Sequence, residues 1–413
     1  MTKEEATAAS ARVWSLLREA GFADERALAA LRTDEGRYLV LKDGGISGER
    51  DISDRGDPFA VAFSAKPDAT AALLLPGQYA LRASETVRSL PAELDDMAQI
   101  VGLTARTAMD ASERELLRCL KGRNACLIRA QGMLTTGRSV TEAVTAAVLL
   151  EKAAMTRLLS AQLGGAKRVP LLSAALMHVV YQKKYAAINL AEEAGRGAAT
   201  CAETAYSARE RALREEIVAY GRKLVETGLV QGTWGNLSVR LDETHLLATP
   251  SGLDYRLLTP GDIVRVEMET LAYDGPRKPT SERRLHRDLY RAKSEAGAVI
   301  HTHARYCGVF AACNRPLPAV TEPMRRLAGG EVRCAPHALP STKRLSRAAL
   351  PALRERNACL LAHHGAVCCG RDLAEAFELC RAMEQAAALL LAGPEAAAAA
   401  AAEPNHADET AAD

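Results

Sequence analysis

Two histidines stand two residues apart at the end of an apolar run, Ala298-Val-Ile-His301-Thr-His303-Ala304. Side chains at i and i+2 of a strand point to one face, so both imidazoles can reach a single ion where the strand leaves the core. A third histidine and a carboxylate would complete such a site. Cys359-Leu-Leu-Ala-His363-His364-Gly365 again ends an apolar strand in histidine, and Pro279-Thr-Ser-Glu282 offers an acid. Any one of these stretches is weak on its own; the three together point to a metal centre with a proton-transfer group beside it.

Three turns rich in small residues surround that set. Gly232-Thr-Trp-Gly235-Asn236-Leu-Ser238 runs into a strand, Thr249-Pro-Ser251-Gly252 follows another, and Thr280 or Ser281 is placed to cap a helix. Backbone N–H groups and hydroxyls from such turns can converge on one anion. A phosphate would gain charge-assisted hydrogen bonds of about 1.5–3 kcal/mol each, and a helix N-terminus adds to them.

The elements that must position these groups follow from periodicity and turn residues. In the second half the pattern predicts a helix over Ser207–Thr227 stopped by Gly228, then strands at Leu246–Ala248 and Ile263–Glu267. In the first half it predicts helix through residues 1–35, with Val13, Leu17, Leu28 and Leu31 at helical spacing. A strand over Arg37–Lys42 follows, then a loop over 47–58 and a strand at Ala69–Leu75. Further on come helix over Leu103–Leu120, a strand at Ala125–Ile128, and helices over Val140–Leu159 and Leu171–Glu193.

The two halves are related. Arg123-Asn-Ala-Cys-Leu-Ile-Arg-Ala-Gln131-Gly132, then Gly137-Arg and Glu142-Ala, matches Arg356-Asn-Ala-Cys-Leu-Leu-Ala-His363-His364-Gly365, then Gly370-Arg and Glu375-Ala, at an offset of 233 positions. Leu90-Pro-Ala92 and Leu317-Pro-Ala319 extend the likeness at an offset of 227. On these registers Leu74, Pro76 and Gln131 stand where the second copy has His301, His303 and His364. Self-similarity at so long a period means two copies of one domain, the first without the ligands. The expected division is residues 1–200, residues 206–392, with a boundary near Arg196–Thr204, and an Ala-rich, disordered tail over 393–413.

The 413 residues suit two domains, and 48% hydrophobic residues suit packed cores. A formal net charge of +2 with both signs interspersed argues against nucleic-acid or polyanion partners. Ten scattered cysteines read as reduced thiols, the N-terminus lacks the basic-then-apolar order of a signal peptide, and no apolar stretch is long enough to span a membrane. A cytoplasmic protein is expected.

The second half resembles the class II aldolase and adducin family over roughly residues 210–390. The motifs that carry the resemblance are Gly235-Asn236-Leu-Ser238, Thr249-Pro-Ser251-Gly252, Pro279-Thr280-Ser281-Glu282, His301-Thr-His303 and His363-His364-Gly365. The resemblance implies tandem three-layer α/β/α domains with largely antiparallel central sheets, and an active site at a domain or subunit interface of a homo-oligomer. It implies that His301, His303 and His364 bind Zn2+ or another divalent metal, one per chain, with Glu282 as acid-base residue. It assigns Gly235, Asn236, Ser251, Gly252, Thr280 and Ser281 to the phosphate of a small phosphorylated sugar. His363 is then a structural neighbour, His286 a helix-packing residue, and His245 and His337 ordinary loop residues.

The activity so implied is a zinc-dependent aldolase (a lyase) cleaving a small ketose phosphate to dihydroxyacetone phosphate and an aldehyde. Epimerase, decarboxylase and dehydratase members use the same metal frame, and adducin-like members are non-catalytic scaffolds. The epimerase branch carries aspartate at the position of Glu282, so glutamate favours the aldolase. The tyrosine that the fuculose-phosphate branch supplies after Leu-Pro-Ala is missing from Val320-Thr-Glu322-Pro-Met324, which leaves Glu322 as the candidate acid.

Overall fold

The computed structural model describes residues 2–33, 36–181, 206–230 and 233–401. Two compact units emerge, residues 1–161 with 168–186, and residues 162–167 with 187–413. The expected boundary over Arg196–Thr204 lies outside the described residues, as does the Leu171–Glu193 helix beyond residue 181.

The first unit is built on an eight-stranded sheet. Its strands are β1 (Leu28–Arg32), β2 (Arg37–Lys42), β3 (Gly45–Asp51), β4 (Ala71–Leu75), β5 (Ser89–Pro91), β6 (Thr104–Ala108), β7 (Ala125–Ile128) and β8 (Gly132–Gly137). Their order is β3-β2-β1-β4-β8-β7-β6-β5, antiparallel except for β6 beside β7. The helices Pro58–Ala65 and Glu113–Leu120 place Phe59, Phe63, Leu116 and Leu120 in a core with Val40, Ala72, Ile128 and Leu134. The helices Gln78–Thr86 and Val140–Leu159 also pack on β8.

Three sequence expectations change here. Leu28–Arg32, expected as helix, is strand: the first helix ends at Glu19, Gly21 turns the chain at φ 76°, and β1 pairs with both β2 and β4. A five-residue run buried on both faces has no period by which sequence could separate it from helix. Residues 47–58, expected as loop, begin with β3. Asp43 and Gly44 both take positive φ, 50° and 84°, the conformation of a type I′ hairpin turn, and return the chain along β2. Leu103–Leu120, expected as one helix, divides into β6, which runs parallel to β7, and a helix that begins only at Glu113.

The second unit is built on seven strands: β9 (Gly235–Arg240), β10 (His245–Ala248), β11 (Val264–Glu267), β12 (Ala298–Thr302), β13 (Cys334–Ala335), β14 (Ala358–Leu361) and β15 (Gly365–Gly370). Their order is β11-β10-β9-β12-β15-β14-β13, antiparallel except for β13 beside β14. On one face, Leu285, Leu289 and Tyr290 of the helix Arg283–Ala292 and Leu345, Ala349 and Leu353 of the helix Lys343–Leu353 cover Val264, Val299, Val367 and Cys369. On the other, the helix Leu373–Ala392 packs against β12 and β15, bringing Met383 Sδ to 3.5 Å from Cys368 Sγ. Both units thus have helices on two faces of a largely antiparallel sheet.

Ser207 accepts from Glu210 N–H and caps the helix Ala208–Glu226. After Gly393, the alanine run expected to be disordered is helical over Pro394–Ala401, in keeping with alanine's propensity, although it buries no side chain. Among the described residues no helix is long and apolar enough to cross a membrane.

Candidate active site

β12 lies between β9 and β15, with His301 opposite Asn236 on one side and Val367 on the other. Cross-strand partners share a face, so His301 and Asn236 project together. His303 follows two residues on, just beyond the strand. His364 comes from the connection between β14 and β15, where His363 takes a left-handed φ of 65°. Gly365 then lets β15 pass close to β12: a Cβ there would stand 2.2 Å from the Thr302 carbonyl oxygen. Gly235, at φ 128°, is under a similar demand from the other neighbour, since a Cβ would meet the His301 carbonyl oxygen at 2.9 Å and Val230 at 2.6 Å.

The three imidazoles converge. His301 Nε2 lies 3.0 Å from His303 Nε2 and 3.1 Å from His364 Nε2, and all three residues are buried. His301 Nδ1 donates to the Ala366 carbonyl at 2.9 Å, which fixes the ring and leaves Nε2 as a bare lone pair in the neutral form. Burial, against the pull of the Glu282 carboxylate, holds the His301 imidazole well below its usual range, so the neutral form prevails.

Glu282 completes the group. Its Oε2 lies 3.3 Å from His301 Nε2 and its Oε1 3.5 Å from His364 Nε2, while Asn236 Nδ2 donates to Oε2 at 3.2 Å. Burial raises this carboxyl, while any positive charge on His301, His364 and His303 and the N–H of the Asn236 amide lower it, and the net shift is downward. A buried carboxylate beside converging imidazole nitrogens is a set of lone pairs facing one another, and a cation is what such a set lacks. Tetrahedral ligation at about 2.0–2.1 Å would separate neighbouring nitrogens by roughly 3.3 Å, close to the spacing seen. The three histidines therefore fit a divalent ion, and among the described residues they are the group of His, Cys, Asp and Glu placed to hold one.

The small-residue turns gather beside Glu282. Ser251 N–H donates to the Lys278 carbonyl at 2.9 Å and Thr280 N–H to the Thr249 carbonyl at 2.9 Å, which ties Ser251-Gly252 to Thr280-Ser281. Tyr255 Oη donates to the Gly235 carbonyl at 2.8 Å and lies 3.2 Å from Thr249 Oγ1, joining the third turn to the other two. The helix after them begins one residue later than expected: Glu282 itself occupies the N-cap position of Arg283–Ala292, and Thr280 Oγ1 accepts from Glu282 N–H at 3.2 Å.

Other residues stand apart from the cluster. Glu322 opens the exposed start of the helix Glu322–Ala328, with its carboxylate 4.0 Å from Arg326. His363 packs edge-on against His337, ring centroids 5.3 Å apart. His245 bonds to Asp242 and Thr244. Sequence reasoning missed Ser238, His286 and Tyr290 as parts of the Glu282 neighbourhood. The signal was present in the spacing: Glu282, His286 and Tyr290 stand at i, i+4 and i+8 on one helix stripe, and Asn236 and Ser238 at i and i+2 on β9.

A tandem α/β fold with one buried three-histidine centre is the class that these features define. The family profile described as Class II Aldolase and Adducin N-terminal domain matches residues 21–158 and again 215–391, so the chain belongs to the class II aldolase and adducin family. It is 43% identical over 176 residues to a 5-methylthioribulose-1-phosphate/5-deoxyribulose-1-phosphate aldolase of Rhodospirillum rubrum, which covers 43% of this chain and 79% of that protein. To an L-fuculose phosphate aldolase of Escherichia coli K12 it is 36% identical over 179 residues, 43% of this chain and 82% of that one. A solved L-fuculose 1-phosphate aldolase aligns at 33% identity over 48% of this chain and 96% of its own, with a TM-score of 0.42. The protein is thus an enzyme of the class II aldolase type, a lyase.

Proposed function

We propose that the second unit is a zinc-dependent aldolase that cleaves a small ketose 1-phosphate between C3 and C4 to dihydroxyacetone phosphate and an aldehyde. The observation that carries this reading is the contact of one buried carboxylate, Glu282, with two of three converging imidazoles. When bound, one divalent ion per chain would supply Lewis acidity toward the substrate's carbonyl and hydroxyl oxygens. His301, His303 and His364 would hold it.

This chain's residues do the rest. Backbone and hydroxyl donors of Gly235, Asn236, Ser251, Gly252, Thr280 and Ser281 hold the phosphate, which fixes C3 relative to Glu282. As the C3–C4 bond breaks, its electron pair stays on C3; the Glu282 carboxylate takes up a proton from solvent and passes it to that carbon. The C4 hydroxyl loses its proton as the aldehyde forms. Glu322, exposed and outside the buried cluster, accepts this proton at the site of a neighbouring subunit.

Relatives act on fuculose, 5-deoxyribulose and 5-methylthioribulose phosphates by their names, so these three are the first substrates to try. A coupled assay for dihydroxyacetone phosphate over a panel of phosphorylated ketoses tests the reading. Release from one or more of them is expected, and a metal-loaded protein that releases none overturns it.

The first unit, without the ligands, is a non-catalytic copy retained for assembly. Residues 206–392 expressed alone should aggregate, change oligomeric state or lose most activity. A soluble, metal-loaded fragment as active as the full chain would remove that role.

A further inference from the structure

A second set of buried polar groups runs from the core of the second unit to Glu282. Tyr290, Ser238 and His286 are at most 1% exposed and Asn236 is 7% exposed. Tyr290 Oη donates to the Ser238 carbonyl at 2.8 Å and lies 2.9 Å from Ser238 Oγ. Ser238 Oγ lies 2.7 Å from His286 Nδ1, His286 Nε2 is hydrogen-bonded to Asn236 Oδ1, and Asn236 Nδ2 donates to Glu282 Oε2 at 3.2 Å.

The direction of every bond follows from the Glu282 end. A carboxylate only accepts, so Asn236 must turn its amide N–H toward Glu282 and its oxygen toward His286. That oxygen also only accepts, so the proton of the neutral His286 ring sits on Nε2. Nδ1 is then the acceptor for the Ser238 hydroxyl, and Tyr290 secures Ser238 from behind. An inverted Asn236 amide would set an oxygen lone pair against the carboxylate, and nothing in the amide's own shape prevents that inversion. The carboxylate disfavours it from one side, and the donor on His286 locks the amide from the other.

We propose that His286 is a positioning residue: by donating from Nε2 to Asn236 Oδ1 it holds the Asn236 amide with its N–H on Glu282 Oε2, and so fixes the orientation of the proton-transferring carboxylate. The relay joins two elements, since β9 carries Asn236 and Ser238 while the helix Arg283–Ala292 and its cap carry Glu282, His286 and Tyr290. A helix shift of one residue would break it. Its consequence for turnover rests on the reading of Glu282 as the acid-base residue; the hydrogen-bond directions do not.

The test uses the full chain with its metal. His286→Leu fills the space without a donor, and His286→Gln returns an amide N–H. His286→Leu should keep its metal and an unchanged KM while kcat falls about 10-fold or more, the scale of misplaced catalytic groups. His286→Gln should recover most of that loss. Equal kcat in wild type and His286→Leu, or a glutamine variant no better than leucine at equal metal content and thermal midpoint, overturns the proposal.

Ser238→Ala, which removes only the hydroxyl behind His286, serves if the leucine variant does not fold, with the same expected fall in kcat at constant KM. Nitrogen-15 spectra of histidine-labelled wild type provide a readout independent of turnover. The signal lost in His286→Gln should show the Nε2–H tautomer, and an Nδ1–H tautomer overturns the proposal. A wild type that shows Nε2–H but cleaves no ketose phosphate counts against the aldolase reading and leaves the His286–Asn236 contact standing.

Discussion

Strand for strand, the first unit follows the second: β3-β2-β1-β4-β8-β7-β6 runs in the order of β11-β10-β9-β12-β15-β14-β13, with β5 added at the edge. Gly132 and Gly365 meet one constraint in both, for a Cβ would stand 2.3 Å from the Leu75 carbonyl oxygen in one and 2.2 Å from that of Thr302 in the other. Glu151 accepts from Tyr79 and Ala80 N–H at 2.7 and 2.8 Å, and Glu384 from Tyr306 and Cys307 N–H at the same two distances. Each glutamate caps the helix that leaves the strand where ligands stand or are lacking.

What differs is the set of side chains placed on this frame. β4 leads into Leu74-Leu75-Pro76 where β12 leads into His301-Thr302-His303, and Gln131 stands at the place of His364. Before the first helix on the matching face, Asp57 takes the position of Glu282, but its carboxylate caps Phe59 N–H at 2.8 Å and pairs with Arg50. Close backbone approach and helix capping maintain the fold, and the chemistry we propose rests on four side chains that the first unit lacks. The two can be lost independently, which is why fold alone never assigns activity.

The sharpest way to break this comparison is to truncate the matched side chains His364 and Gln131, one in each unit. His364→Ala should lose most of its metal and its activity, since two imidazoles with the Glu282 carboxylate make a weaker and differently shaped ligand set than three imidazoles. Gln131→Ala should keep one ion per chain. Elemental analysis of both variants decides the matter, and two equivalents in wild type would show that the first unit also binds.

The carboxylates give the next largest effect. Glu282→Gln should keep its metal yet lose turnover by about 10²-fold or more, the range for an acid-base group. Asp57→Asn should leave kcat unchanged. Deuterium exchange from solvent into dihydroxyacetone phosphate reads the proton transfer directly, and exchange at the wild-type rate in Glu282→Gln would take that role from it.

The capping glutamates should act on stability in their own units. Replacing Glu151 or Glu384 by alanine leaves two buried N–H groups without the acceptor seen here, at a cost of roughly 3–5 kcal/mol on the scale of bonds to charged groups. Calorimetry should show a lowered transition in each variant. Only Glu384→Ala, which uncaps the helix Arg305–Cys313 that begins two residues after His303, should also weaken metal retention; equal loss from Glu151→Ala would contradict the separation of the two units.

Much of the second unit was legible because its elements carry local signals. The helix over Ala208–Glu226 has an N-cap serine and a glycine stop, and the histidines end apolar strands at i, i+2 spacing. The convergence of His301, His303 and His364 with Glu282 follows from those signals and from the ordered motifs. β1, β3 and β6 were not legible, because a short strand is defined by its partners: Leu28–Arg32 is sandwiched by β2 and β4, Gly45–Asp51 is an exposed hairpin arm, and β6 lies beside β7. The Tyr290–Ser238–His286–Asn236 relay was missed for a related reason. Its members come from two elements some 50 residues apart in sequence, and no local pattern says that the strand will present Asn236 to that helix stripe.

A smaller effect should separate the units by pH. Glu93, in the first unit, is buried with its Oε1 2.7 Å from Arg157, and burial, only partly offset by Arg157, pushes its carboxyl up to about 7 from a model-peptide value of 4.5. Val320 stands at the matching place after Leu317-Pro-Ala319, so the second unit has no counterpart. Because folding raises the affinity of this carboxyl for a proton, its contribution to stability is complete below about 4.5, where folded and unfolded chains are both protonated. That contribution is lost as the pH climbs through about 7. The first unit should therefore lose about 1–3 kcal/mol from this group between pH 5 and pH 8, taking the pH limits as about those values. Glu93→Gln, neutral throughout, should flatten the fall in the urea midpoint of the first transition and leave the second transition as it was. An undiminished slope in the variant would place the pH dependence elsewhere, and a slope lost from the second transition would mean that the two units do not unfold separately.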